Sequence, residues 1–236
     1  MALTSDLQQR WQDVHSKIQK ACDVAQRARK DITLLAVSKG QSVEKIKSLY
    51  EFGQRDFGEN YFNELCTKIE ALASYPDIRW HYIGKIQSNK IKKLVNHCAV
   101  IHTLCSLRHA EALSQTALSL KKSIPVFVEV NTVNETNKGG IAFGEVDSFV
   151  AEISGLPGLH LEGLMAIPPA SYADEEYRGK PLPDLYVRLR QASQSVGSGL
   201  LSLGMSGDLE LAVRAGSNFL RIGQALFGPR QKGNVL

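Results

Sequence analysis

The chain is poor in the features that mark several large protein classes. It has only four cysteines, Cys22, Cys66, Cys98 and Cys105, and no two of them form a CxxC pair. Neither a zinc-ligand motif nor the disulfide framework of a small secreted domain is therefore indicated. No segment approaches the roughly 20 consecutive apolar residues of a membrane span. The opening residues, MALTSDLQQRWQDV, lack the charged, apolar and small regions of a secretory leader. A reducing cytoplasm without membrane association is the expected setting. Charge of one sign is scarce as well. A formal net charge of +4 over 236 residues favours anionic ligands only weakly, whereas a nucleic-acid binder concentrates its basic groups on one face. No low-complexity tract or Pro/Gly-rich linker divides the chain, so a single domain over residues 1–236 is expected.

What the sequence does hold is a sizeable apolar share, 43%, arranged with two periods. Residues 5–29 are polar but carry Leu7, Trp11, Val14, Ile18 and Ala21 at helical spacing, which predicts an N-terminal helix. Apolar runs then recur: ITLLAVSK (32–39), RDFGEN (55–60), RWHYIG (79–84), VIHTLCS (100–106), IPVFVEVN (124–131), HLEGLMAI (160–167), LLSLGMS (200–206) and NFLRIGQALFG (218–228). Segments of helical period lie between them, among them SVEKIKSLYEFG and DLELAVRAG, the latter stopped by Gly216. Strands alternating with helices imply a parallel sheet buried on both faces. Eight strands close a (β/α)₈ TIM barrel, and the length sits near the ~250 residues usual for one; an open doubly wound sheet is the alternative. The PPASYADEEYRGKPLPD stretch (168–184) reads as a long loop after the sixth strand.

In such a barrel, function collects where the strands end. The first run ends LLAVSKG, with Leu35, Val37 and Lys39 on one strand face. A lysine at the mouth of an apolar interior loses the hydration its ammonium needs, which favours the neutral amine that attacks aldehydes. The plainer alternative is a lysine whose charge reaches solvent past the strand end. The seventh and eighth runs end in Ser206-Gly207 and in Arg221 with Gly223-Gln224. Loops after strands seven and eight form the common phosphate site of these barrels, through backbone N–H groups and glycines that let an anion come close. Ser206 then donates its hydroxyl and caps the following helix; an ordinary N-cap with turn glycines is the other reading. Asp208, in the same turn, must face away from an anion. An aldehyde-reactive lysine with a phosphate cradle points to pyridoxal 5′-phosphate. Arg221, two residues before Gly223, falls on the face where it meets the pyridine nitrogen, unless it is a surface arginine in a salt bridge.

The ordered set LLAVSK, FGEN, WHYIGKIQSNK, GLMAI, LGMS.D and RIGQALFG, spanning about residues 30 to 230, resembles the pyridoxal-phosphate homeostasis protein family, relatives of the alanine racemase N-terminal barrel. The resemblance implies an alanine racemase N-terminal-like (β/α)₈ barrel with Lys39 holding the cofactor as a Schiff base. It implies that Ser206, Gly223 and Gln224 hold the phosphate, that Arg221 faces the pyridine nitrogen, and that Asn60, His81 and Met165 line the pocket. It also implies a regulator of cofactor and amino-acid balance without catalytic turnover, to which apo pyridoxal-phosphate enzymes are candidate partners. Three departures stand out. Gly40-Gln41 follow the lysine where Thr-Lys is frequent, Lys85 replaces a proline, and Gln224 stands where a small hydroxyl residue is common, which weakens the case for a side-chain phosphate contact there.

Other features have bland explanations. His81 reads either as a pocket residue or as a core histidine satisfied by a neighbour, and Glu59 as a partner of a nearby base. The basic run Lys85, Lys90, Lys92 and Lys93 reads as a solvated helix face more readily than as an anion site. Lys138, after the fifth strand, is a candidate relay for a free aldehyde. The enzyme-class rival is a racemase or decarboxylase on the same barrel. Such enzymes add a β domain that supplies a second acid/base, and the chain ends soon after its eighth strand, at FGPRQKGNVL. An aldolase-type barrel acting on a sugar phosphate shares the lysine and phosphate loops but generally places its lysine on a later strand. A monomer is expected.

Overall fold

The structure, a computed structural model, describes residues 2–132 and 139–229. Eight parallel strands close into a barrel: β1 (Thr33–Val37), β2 (Asp56–Glu59), β3 (Arg79–Tyr82), β4 (Cys98–Leu104), β5 (Ile124–Asn131), β6 (Leu159–Ala166), β7 (Leu200–Ser202) and β8 (Phe219–Ile222). Each pairs with its neighbours in chain order, and β8 returns to β1 with Leu35 opposite Arg221. A two-residue strand, Ile141–Ala142, adds to β5 outside the closed ring. The expected barrel, rather than an open sheet, is what forms.

Helices α1 (Ala2–Ala25), α2 (Val43–Glu51), α3 (Phe62–Ala71), α4 (Ile91–His97), α5 (Leu107–Ser119), α6 (Val146–Ile153), α7 (Asp184–Gln194), α8 (Leu209–Arg214) and α9 (Gln224–Phe227) surround it. The strand period sorts side chains between two cores. Leu34, Ala36, Ile101, Val126 and Val128 pack outward into the main apolar cluster under the helices. Burying each large aliphatic contributes roughly 1.5–3 kcal/mol. Inside the barrel sit Leu35, Val37, Phe127 and Met165, all buried. Gly58 belongs to this interior: a Cβ there would lie 3.2 Å from both Ile83 Cδ1 and Leu35 Cγ, which already fill the space.

Helix α1 buries Leu7, Val14, Ile18 and Ala21 as its spacing predicts, and packs against α2, α8 and α9. It ends at Ala25 rather than 29, because Gln26 turns to a left-handed φ of 54° and residues 29–31 form a separate 3₁₀ turn. Two strands are shorter than their apolar runs. After Ser202, Gly204 takes φ +100° and the chain leaves the sheet. After Ile222, the QALF segment winds into one helical turn, α9; four apolar-rich residues carry no period that separates strand from helix. The long loop after β6 is held by Asp174, whose carboxylate accepts from Leu211 N–H at 3.0 Å and pairs with Lys17 at 3.1 Å.

Candidate functional site

Strand β1 runs out at Val37, and the chain turns at Lys39–Gly40. Lys39 is half-buried on the rim of a cavity of about 450 Å³, which Val37, Gln41, Gly223, Gln224, Gly228 and Pro229 also line. Barrel closure is the reason: β1 and β8 are paired neighbours, so the loop after the first strand and the loop after the eighth open on one space. The lysine and the glycine turn thus lie beside one another, at the C-terminal ends of adjacent strands.

The backbone on both sides of Lys39 is clamped from outside the barrel. Lys68, on α3 and only 4% exposed, donates to Ser38 O, Glu59 Oε1 and Glu64 Oε1, each at 2.6 Å. These three acceptors use its three protons. Ser38 Oγ donates to Glu59 Oε1 at 2.6 Å, and Gly40 N–H donates to Glu64 Oε1 at 2.6 Å. The peptide carbonyl before Lys39 and the amide after it are therefore both tied to α3. Gly40 makes this turn with φ +69°, a left-handed value that suits glycine. Burial pushes the Glu59 carboxyl up to about 7, with Lys68 pulling the other way. The base expected to pair with Glu59 is thus Lys68. Of this cluster only the Glu64/Lys68 spacing of four on a helix is a sequence signal, and it does not say that the pair is buried.

Arg221 is buried, 5% exposed, and not the surface arginine of the plainer reading. Nη1 donates to Ser202 Oγ at 2.9 Å and Nη2 to Ala166 O at 2.8 Å. Burial draws its pKa down to about 10, while Asp208, Glu129 and Tyr186 pull it upward. Glu129, half-buried on β5, has its carboxyl raised by burial, against the pull of Arg221. Sequence reasoning did not single it out.

Asn60 follows β2. Its Nδ2 donates to Ile83 O at 3.4 Å, and its Oδ1 is buried with no hydrogen-bond donor among the described residues. Gly84 makes this seat: a Cβ there would fall 1.8 Å from Asn60 O, so the WHYIG motif needs its glycine. Met165 is 1% exposed in the barrel interior.

Two expectations are corrected. Ser206 does not cap α8; it stands two residues before the N-cap, Asp208, in a half-buried turn. The Asp208 carboxylate accepts from Met205 N–H at 2.7 Å and from Tyr186 OH at 2.7 Å, which turns its charge inward. His81 is a core histidine and not a cavity residue. It is 2% exposed and both ring nitrogens are engaged, Nε2 with Asp56 at 3.0 Å and Nδ1 with His102 at 2.9 Å. A single histidine in a strand carries no signal that a second ring and a carboxylate await it inside.

Among the basic residues, Lys85, Lys92 and Lys93 are exposed, and Lys90 lies over the Phe62 ring at 4.9 Å. Lys138 lies outside the described residues. Cys22, Cys66, Cys98 and Cys105 are free thiols. Among the described residues no cluster of His, Cys, Asp and Glu is placed to hold a metal ion, and no helix is long and apolar enough to cross a membrane.

Comparison with known proteins follows the same lines. The sequence model of the family "Alanine racemase, N-terminal domain" matches residues 16–231. The pyridoxal phosphate homeostasis protein of Vibrio alginolyticus is 38% identical over 231 residues, 96% of this chain and 98% of that one. The protein of the same name from Escherichia coli (strain K12) is 35% identical over 230 residues, 96% and 97% of the two chains. Among solved structures, PipY of Synechococcus elongatus PCC7942 with PLP bound superposes with a TM-score of 0.75 at 31% identity, over 89% of this chain and 99% of that one. Alanine racemase of Clostridium difficile 630, at 17% identity, shares the fold over 95% of this chain and 59% of its own, with a TM-score of 0.67. On this evidence the chain belongs to the pyridoxal phosphate homeostasis protein family, built on the alanine racemase N-terminal barrel.

Proposed function

We propose that this chain binds pyridoxal 5′-phosphate at the barrel mouth and holds the cofactor in reserve for the cell without turning over a substrate of its own. One observation carries the reading: Lys39 and the Gly223–Gln224 turn line the same cavity, about 450 Å³, at the C-terminal ends of paired strands. That volume falls within the usual range for small-molecule sites, roughly 300–1,000 Å³.

The residues present fit the group. The Lys39 amine adds to an aldehyde carbon and water leaves, forming a C=N link. Gly223 and Gln224 offer backbone N–H groups to phosphate, and Ser206, on the loop after β7, would add its hydroxyl. Arg221, already anchored at two points, presents a donor to a ring nitrogen and has no acceptor to offer its proton. The buried, unpartnered Oδ1 of Asn60 is an acceptor waiting for a hydroxyl or amine. Met165, buried in the barrel interior, would form the floor of the site. When bound, the cofactor supplies an electrophilic carbon and a conjugated ring able to act as an electron sink. Arg221 limits the second capacity, because a cation at the ring nitrogen disfavours protonating it. His81 is committed to Asp56 and His102, and Glu59 to Lys68 and Ser38.

The same reading takes residues 1–236 as one cofactor-binding unit, a cytoplasmic monomer that hands pyridoxal phosphate to apo-enzymes. The purified protein should be yellow, and borohydride reduction should trap the label on Lys39. Lys39→Ala should lose the trapped label and the visible band while melting within a few degrees of the parent, since the side chain is half-exposed. A colourless parent, or label on another lysine, overturns the reading. Substantial racemisation or decarboxylation in a screen over common amino acids would make the chain an enzyme.

A further inference from the structure

Barrel interiors of this type are filled mainly by branched aliphatic side chains. Here a continuous line of buried polar groups crosses the interior instead. Arg221 Nη1 lies 2.9 Å from Ser202 Oγ, and Ser202 Oγ lies 3.0 Å from His102 Nδ1. His102 Nε2 lies 2.9 Å from His81 Nδ1, and His81 Nε2 lies 3.0 Å from Asp56 Oδ1. Ser202 and His102 are fully buried, and His81, Arg221 and Asp56 are at most 7% exposed. Beyond Asp56 the line meets Arg79, whose side chain is 58% exposed at the start of β3, on the barrel face opposite the cavity.

The two ends fix the direction of every link. A guanidinium only donates and an ionised carboxylate only accepts. Burial of Asp56 raises its pKa, but hydrogen bonds from His81 and Arg79 outweigh that and hold it below the usual range, so it is the carboxylate. Four links need four protons. Arg221 supplies one, the Ser202 hydroxyl one, and each imidazole one if it carries a single ring proton. Only one arrangement then puts a proton in each link: Arg221 donates to Ser202, Ser202 to His102 Nδ1, His102 Nε2–H to His81, and His81 Nε2–H to Asp56. His102, wholly buried with its pKa lowered by that burial and by His81 and Arg221, is neutral as this requires. Its ring is stacked on Phe127 at 4.7 Å and 9°, and Phe219 meets both imidazoles, at 5.8 Å from His81 and 5.5 Å from His102. Hydrogen bonds aligned head to tail polarise one another.

We propose that Asp56, His81, His102 and Ser202 are positioning residues, a one-way hydrogen-bond chain that fixes the Arg221 guanidinium from the far side of the barrel. With Nη2 held by Ala166 O, the chain at Nη1 gives the guanidinium plane its second anchor and orients its remaining donors. That this orientation serves the ring of pyridoxal phosphate rests on the function proposed above; the chain itself does not.

The test uses the full chain with ¹⁵N-labelled histidine and arginine. Without cofactor, both His81 and His102 should show the proton on Nε2, and Arg221 should give slowly exchanging guanidinium signals. Ser202→Ala, which removes only the linking hydroxyl, and His102→Phe, which keeps the ring stack but removes both nitrogens, should each lose that slow exchange. With pyridoxal phosphate, the same two variants should still be labelled at Lys39, bind about tenfold more weakly and show a displaced visible band. Lys92→Gln, exposed on α4 and outside the line, should match the parent in all of these. An Nδ1 proton on either ring overturns the proposal, as do parent-like Arg221 exchange or parent-like affinity and band in Ser202→Ala. A parent protein that takes up no cofactor would dismiss the function proposed above, while the ring-proton and exchange measurements would still decide the chain.

Discussion

Two buried polar clusters flank the candidate site, and they are built on opposite plans. Outside the barrel, between β1, β2 and α3, Lys68 gathers Glu59, Glu64 and Ser38 into a compact ionic knot around one ammonium. Inside the barrel, the links from Arg221 to Asp56 pass through neutral groups, with the charges kept at the two ends. The knot holds backbone, the peptide groups on either side of Lys39. The chain holds a side chain, Arg221. A single cation shared among carboxylates fixes position strongly but fails when the cation is lost. A line of neutral links is directional, and each break is local.

The largest effect should therefore come from the knot. Lys68→Met leaves the buried Glu59 carboxylate without its cation and Ser38 O with the Gln41 N–H alone. Breaking a buried pair by removing one partner costs about 3–5 kcal/mol, which at this chain length lowers the melting temperature by about 10 °C. Cofactor uptake should fall with it, because Ser38 loses its tie to α3 and only the Gly40–Glu64 bond remains beside Lys39. A variant that melts within about 2 °C of the parent would place the knot among the surface pairs that contribute little.

A subtler variant separates charge from shape. Burial raises the folded-state carboxyl of Glu59 from 4.5 to about 7. The folded state then binds more protons than the unfolded one across that window, so Glu59 lowers stability progressively as pH rises from about 4.5 to 7. Glu59→Gln keeps an oxygen for Ser38 and Lys68 but does not titrate. Its stability relative to the parent should improve from pH 5 to pH 8, read as the difference in melting temperature at the two values. An unchanged difference would mean that Lys68 keeps the carboxylate ionised throughout, and the knot would be a plain ion pair.

The same contrast explains how much was legible beforehand. All eight strands fall within the runs read as strands, most because a strand buried on both faces is largely apolar; β2 is the exception, with Asp56 and Glu59 both buried. Lys39, Gly223 and Gln224 were visible because they end such runs, and closure of the barrel brings them to one cavity. The knot was not visible. Ser38, Glu59, Glu64 and Lys68 come from three elements, and each by itself resembles a solvent-facing polar side chain. The inner chain was hidden for a related reason: His81 and His102 lie 21 residues apart, and Ser202 a further 100. Their contact depends on strand order and tilt, which residue spacing does not encode. Ser206 was misplaced as the cap because serine and aspartate both suit that position; Asp208 occupies it, with its carboxylate turned to Tyr186 and Met205 rather than to the helix.

The smallest effect should come from the rim, where neither plan operates. Gln224 begins the four-residue α9 and its side chain is exposed, in contrast to the fully enclosed Ser202 of the interior chain. If the turn holds phosphate through backbone N–H groups, the amide side chain adds a solvent-facing contact at most. Gln224→Ala should then bind pyridoxal phosphate within about twofold of the parent and leave stability within about 0.5 kcal/mol. Titration of the visible band measures the first and thermal melting the second. A loss as large as tenfold would move the phosphate contact from the backbone to the Gln224 side chain, and the rim would join the two buried clusters as a place where side-chain identity sets the cofactor's hold.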